Sequence, residues 1–332
     1  MTNREWFPTA KFGMMIHFGV YSLLGGEWRG QRMPFIGEWA QSYFRIPNKE
    51  YEQVAKAFNP VCFNAEEWVL AAKSAGMQYM VVTSKHHDGF TLFDTEYDNW
   101  SITKATPFGR DMIAEIAEAC YKHNLKLGLY YSQALDWHDP NGGGYGKGIL
   151  NLGVMSLCNN WDYPDKSKKD YGKCFNTKIK TQFKEILTKY GDLCLVWCDT
   201  PHDITEEQSL ELYNMVKEYQ PDALVNSRIG NCIGDYRSCG DNQIDYKEDE
   251  GTDYSKAVGR RTGLIECPAT LNKTWGFKYY DTEWKDAKTV MEIKNRLNAQ
   301  NINYLLNVGP DWLGRFPAPS LDILREIGEM QK

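Results

Sequence analysis

Short apolar runs alternate with amphipathic segments from one end of this chain to the other, and that alternation limits the folds open to it. The strand-like runs are Met14–Phe18, Tyr79–Thr83, Leu125–Tyr131, Leu193–Cys198, Ala223–Asn226, Leu264–Cys267 and Ile302–Val308. Between them lie helix-like stretches at Ala65–Ala75, Asp111–His123, Thr177–Tyr190, Glu206–Tyr219 and Asp286–Gln300, and Ser320–Met330 reads as a closing helix behind Pro319. In Asp111–His123 the residues Met112, Ile113, Ile116, Ala117 and Cys120 recur at helical spacing, with polar residues on the other face. Strands that alternate with helices pair in parallel through helical crossovers. Seven near-continuously apolar strands in 332 residues fit a closed (β/α)8-like TIM barrel better than an open sheet, read as one catalytic domain over 1–332. No G-x-G-x-x-G follows the first strand and no Walker-type loop is present, so dinucleotide and nucleotide phosphate binding have no support.

The chemically capable residues gather at one end of this pattern. His17 follows the first strand, His86 and His87 the second, and Tyr131 ends the third. Asp199 follows the fourth, Arg228 the fifth, and Asn307 lies in the last. Barrel enzymes build their sites at the C-terminal ends of the strands. Composition points to the partner: 11 Trp and 20 Tyr exceed what core filling asks for, and aromatic faces suit sugar rings. A net charge of -6 and a pI near 5.6 speak against nucleic acid or an anionic membrane surface as partner. Met1–Lys11 carries no apolar leader, which predicts a cytoplasmic protein. Nine cysteines without a C-x-x-C indicate neither a disulfide framework nor a zinc site.

Each motif has two readings. Asp199, in Val196-Trp197-Cys198-Asp199-Thr200-Pro201, is either a helix cap or a catalytic carboxylate. Helical sequence begins only near Thr205, so Asp199 stands several residues too early to cap it. The pair His86-His87 is either a metal-binding element or a metal-free one, hydrogen-bonding to a polar substrate or purely structural, and adjacent side chains on an extended strand point to opposite faces, which weakens the first. Glu38 beside Trp39 sets a hydroxyl acceptor next to an apolar ring face.

Taken in order, these pieces resemble the α-L-fucosidases of glycoside hydrolase family 29. The resemblance is carried by Lys11–Gly19, Gly37-Glu38-Trp39, Lys85–Phe90, Gly128–Ser132, Val196–Asp199, Asn226-Ser227-Arg228, Thr274–Phe277 and Asn303–Pro310. It covers nearly the whole chain and implies retaining, exo-acting release of terminal α-L-fucose from fucosylated oligosaccharides through a covalent fucosyl-enzyme on Asp199, with no cofactor and no metal. It also implies that His17, Glu38, Trp39, His86, His87, Tyr131 (or Tyr130), Trp197, Arg228, Gln243 and Trp275 hold the sugar. A C-terminal β-sandwich carried by many relatives is not expected here. The family's general acid/base comes from the loop after the arginine-bearing strand, where this chain shows Gln243 in place of an expected Glu. Three readings follow: Asp241 is the acid/base, Glu266 is, or Gln243 marks a lost one. The last leaves a catalytically disabled, fucose-binding barrel as the alternative function, and a metal-dependent hydrolase built on His17, His86 and His87 is another.

Overall fold

The structure, a computed structural model, describes residues 1–146 and 155–332. Eight parallel strands form its centre: β1 Phe12–Ile16, β2 Tyr79–Lys85, β3 Lys126–Tyr131, β4 Leu195–Cys198, β5 Leu224–Val225, β6 Arg237–Ser238, β7 Ile265–Thr270 and β8 Ile302–Val308. Their spatial order is β5-β4-β3-β2-β1-β8-β7-β6, and all seven pairings are parallel. The two edges then meet through a parallel bridge between Asn226 and Tyr236, with Asp235 N donating to Val225 O at 2.6 Å. The architecture is a (β/α)8-like barrel.

Helices at Ala65–Ser74, Met112–Lys122, Lys180–Thr188, Glu206–Tyr219, Asp253–Thr262, Ala287–Asn298 and Ala318–Glu329 surround it. Most end where their sequence says they should: Asn64, Asp111, Thr205 and Asp286 cap the N-termini with side-chain oxygens. Between β5 and β6 there is no helix, only a single 3-10 turn at Ser227–Ile229. This short connection keeps Arg228 at the barrel mouth. β6 is the strand that sequence patterning misses, since it is two residues long and one of them is Arg237. That arginine is fully buried, and its guanidinium donates to Tyr246 OH at 3.0 Å and Glu248 O at 2.9 Å.

The side chains divide by strand parity. Met15, Tyr79, Val81, Tyr130, Leu195, Trp197, Leu224 and Leu305 fill the barrel interior, whereas Met14, Met80, Val82, Leu129, Tyr131, Val196, Tyr304 and Leu306 pack outward under the helices. The N-terminal helix Asn3–Ala10, held by a Thr2–Glu5 capping box, plugs the bottom. Its Phe7 packs at a tilt against Tyr236 with centroids 4.7 Å apart, and Trp6 meets Tyr79 edge-on at 5.7 Å. At that crowded end Gly13 is obligatory, because a Cβ there would lie 2.4 Å from the Tyr79 ring. With this helix across its floor, the barrel has a cavity at the C-terminal ends of its strands. None of the helices among the described residues is long and apolar enough to cross a membrane.

Candidate active site

A cavity of about 170 Å³ opens there, lined by His17, Glu38, Trp39, His86, His87, Tyr130, Trp197, Asp199, Arg228, Asp241 and Trp275, with Met15, Ile36, Met155 and Thr200 completing the wall. At its centre is Asp199, the first residue past β4. One oxygen accepts from Tyr130 OH at 2.8 Å, and the other from Arg228 NH1 at 2.9 Å. Gln133 fixes the backbone on which these groups stand: its Oε1 accepts from Asp199 N at 2.8 Å, and its Nε2 donates to Arg228 O at 2.9 Å. The cap for the following helix is Thr205, which leaves the Asp199 carboxylate free for the pocket.

Arg228 is the hinge of the charge arrangement. NH1 holds Asp199, while NH2 donates to Asp241 at 2.5 Å and to Cys239 O at 2.8 Å. The guanidinium also lies 4.7 Å over the Trp197 ring. Burial opposes its charge, but the carboxylates of Asp241 and Asp199 more than offset this and raise its pKa. The Asp199 side chain is 12% exposed and that of Asp241 50%. One carboxylate therefore faces the closed end of the pocket and the other its mouth, with a guanidinium between.

The imidazoles are arranged as acceptors. Asn307 Nδ2 donates to Trp275 O at 2.8 Å, so its Oδ1 accepts from His17 Nδ1 at 2.7 Å. Ser132 Oγ donates to Leu135 O at 2.9 Å and is left to accept from His87 Nδ1 at 2.8 Å. Burial pushes the His17 pKa down to about 4 and holds those of His86 and His87 well below the ordinary value, so the rings are neutral. With Nδ1–H engaged, the Nε2 lone pairs of His17 and His87 remain as acceptors for a donor entering the cavity. Glu38 accepts from Gly276 N at 2.8 Å, and burial raises its pKa to about 8, so near neutral pH it carries a proton that it can donate.

Four sequence expectations are corrected by this geometry. Tyr131 does not face the pocket: its hydroxyl donates to Gln182 at 2.9 Å under the helices, and Tyr130, one residue earlier, points inward. His86 and His87 do not point to opposite faces, because the chain leaves β2 at Lys85 and turns at Gly89 (φ +73°). Their ring centroids are 4.0 Å apart and both line the cavity. Gln243 turns away from the pocket, accepting from Gly240 N at 3.0 Å and donating to Glu250 at 3.0 Å. Glu266 is fully buried beneath the pocket, bound by Tyr79 OH at 2.6 Å and Trp197 Nε1 at 2.9 Å. It supports the Trp197 ring rather than reaching a substrate. Of the three acid/base readings, only Asp241 has its side chain at the cavity. Among the described residues no group of three or more His, Cys, Asp or Glu side chains is placed to hold a metal ion.

The family model described as Alpha-L-fucosidase matches residues 1–332. The chain belongs to the α-L-fucosidase family. Among solved structures, α-L-fucosidase AlfC from Lactobacillus casei, in complex with α-L-fucose product, superposes with a TM-score of 0.92 at 46% identity, over 99% of this chain and 98% of that one. An aspartate-to-alanine mutant of AlfC in complex with Fucα(1,6)GlcNAc superposes with a TM-score of 0.90 at 47% identity, over 99% and 98% of the two chains. Alpha-L-fucosidase 1 of Arabidopsis thaliana is 27% identical over 98% of this chain and 59% of its own length. The chain thus spans about three fifths of that curated relative.

Glu266 gives a test independent of turnover. Burial raises its pKa to about 7, above the value near 4.5 of an unfolded glutamate. The folded state therefore keeps a proton that the unfolded chain has released. The associated stability is fully present below about pH 4.5 and lost as pH rises through 7. Between pH 5 and 8 the protein should lose about 2–3 kcal/mol on this account, and Glu266→Gln should not. Urea unfolding at the two pH values checks this, and parallel slopes for protein and variant would contradict it.

Proposed function

We propose that this protein is a retaining, exo-acting α-L-fucosidase in which Asp199 is the nucleophile and Asp241 the general acid/base. The observation that carries the reading is a single guanidinium, Arg228, in contact with both carboxylates. Retaining glycosidases need two carboxyl groups only about 5–5.5 Å apart, one for nucleophilic attack and one for proton transfer, and a shared arginine favours such a spacing. In the first step an Asp199 oxygen bonds to the anomeric carbon as the glycosidic C–O bond breaks, and Asp241 gives its proton to the departing oxygen. In the second, Asp241 takes a proton from water, whose oxygen bonds to the anomeric carbon as the ester to Asp199 breaks. Arg228 and Tyr130 aim Asp199, each donating a hydrogen bond to one of its oxygens.

The pocket suits one sugar ring with its far end closed, which favours a terminal residue. The imidazole acceptors supply hydroxyl contacts, and Trp197, Trp275 and Met15 supply the apolar wall that a 6-deoxy sugar's methyl group needs. The AlfC complex with Fucα(1,6)GlcNAc supports α1,6-linked fucosides as the substrate class. The alternative of a disabled, fucose-binding barrel rested on Gln243, and with Asp241 at the pocket that residue is not needed as an acid. Product stereochemistry tests the mechanism. Proton NMR during hydrolysis of 4-nitrophenyl α-L-fucoside should show the α-anomer of fucose appearing first and the β-anomer only on mutarotation. An initial β-anomer would require inversion and would remove the covalent intermediate.

A further inference from the structure

The second barrel strand does not keep its alternation to the end. Tyr79 and Val81 point into the barrel, and Met80 and Val82 point out under the helices, a pattern that would turn Lys85 inward. The pairing with β3 slips instead: Thr83 lies beside Tyr130 and Lys85 beside Tyr131, with Ser84 as an extra residue between them. Such a bulge re-aims the side chains that follow it. Lys85 is thereby sent to the outer face, where its Nζ lies 4.8 Å over the Tyr131 ring. The next two residues, His86 and His87, line the cavity.

A lysine on that outer face is costly, because its side chain is fully buried and its ammonium group has lost its water. Asp136, in the loop after β3, offsets the cost. One of its oxygens meets Lys85 Nζ and Lys178 Nζ, each at 2.9 Å. The other accepts from His138 N at 3.1 Å and Asp139 N at 2.9 Å. Lys178 also lies 3.4 Å from Asp98. Burial opposes the Asp136 charge, but Lys178 and Lys85 more than offset this and hold its carboxyl below the ordinary range. The same loop clamps the histidine turn: Trp137 N donates to His87 O at 2.7 Å, and a Cβ at Gly89 would lie 2.2 Å from Asp136 Oδ1. With both oxygens engaged and its side chain closed off from solvent, Asp136 does not itself meet a substrate. We propose that Asp136 is a positioning residue for sugar binding, which holds Lys85 outward and so fixes the bulge that aims His86 and His87 into the pocket. This rests on the fucosidase reading above, in which those rings meet sugar hydroxyls.

The test compares two double variants, each removing one lysine and one aspartate together so that no buried charge is left unpaired. Lys85→Met/Asp136→Asn breaks the pair that pins the bulge and leaves Lys178 with Asp98. Lys178→Met/Asp98→Asn removes the same charges and leaves Lys85 on Asp136. Titration calorimetry gives the Kd for fucose, steady-state rates on 4-nitrophenyl α-L-fucoside give KM and kcat, and melting temperatures report the fold. In the first variant Kd and KM should rise about tenfold or more, the worth of one or two hydrogen bonds, while kcat falls by less than KM rises. In the second, both should stay within about twofold of the parent whatever its melting temperature, because the pin is intact. A cluster that only steadies the fold would lower melting temperatures and leave fucose affinity alone. An unchanged Kd in the first variant, or an equal rise in both, therefore overturns the assignment and leaves the fucosidase reading intact. Should the first variant not fold, Asp136→Asn alone should show the same rise in Kd, and parental affinity in it overturns the assignment. A parent protein that neither binds fucose nor releases it from the aryl fucoside overturns the fucosidase reading and this one with it.

Discussion

Asp199→Asn should lower kcat on any α-L-fucoside by about 10⁴-fold or more while binding of free fucose stays within a few-fold of the parent. Asparagine has nearly the shape of aspartate, and its amide oxygen can still accept from Tyr130 OH or Arg228 NH1, the two donors that hold the carboxylate at 2.8 and 2.9 Å. What it lacks is a charged oxygen able to bond to the anomeric carbon. The pocket's hydroxyl acceptors, at His17 and His87, are untouched by the change. Titration calorimetry with fucose and steady-state rates on the aryl fucoside measure the two halves separately. The smaller variant Asp199→Gly should accept azide in place of the carboxylate and release β-fucosyl azide, since attack then comes once and with inversion. A residual rate within a hundredfold of the parent would remove Asp199 as nucleophile.

The sequence carries most of this frame and half of the site, and the division has physical causes. Strand and helix existence follow from periodicity, and ends such as Asp111 and Thr205 follow from capping chemistry. The missed barrel strand has no such signal. Arg237–Ser238 is a strand of two residues whose arginine is buried on backbone carbonyls, and apolar patterning is blind to it. Asp199 is legible because a carboxylate at a strand end with no helix to cap has few structural uses. Tyr130 and Tyr131 cannot be told apart in sequence, because a parallel barrel strand is apolar on both faces. Only the register, with Tyr130 beside Trp197 and Tyr131 beside Cys198, decides which one looks inward. Gln133 and Asn307 were not named for their orienting roles, since those roles exist only through partners 66 and 290 positions away in the chain.

The loop that carries the proposed acid shows the same limit and leads to the other large effect. Gly240 to Gln243 offers Asp241 and Gln243 two positions apart, and in a turn these side chains diverge: one to Arg228 NH2 at 2.5 Å, the other to Gly240 N and Glu250. Asp241→Ala should therefore lower kcat/KM on Fucα(1,6)GlcNAc by about 10²–10⁴-fold, the usual worth of a positioned proton donor. The loss on 4-nitrophenyl α-L-fucoside should be far smaller in the first step, because a nitrophenolate departs without a proton, and the fucosyl-enzyme should then accumulate for want of a base. Azide needs no base, so it should restore turnover and give α-fucosyl azide, the anomer opposite to that from Asp199→Gly. Gln243→Glu should change neither substrate's rate by more than about twofold, because the added carboxylate would face Glu250 rather than the pocket. Equal losses on both substrates in Asp241→Ala, with no azide rescue, would mean that Asp241 only steadies Arg228. A gain of more than tenfold in Gln243→Glu would move the acid to position 243.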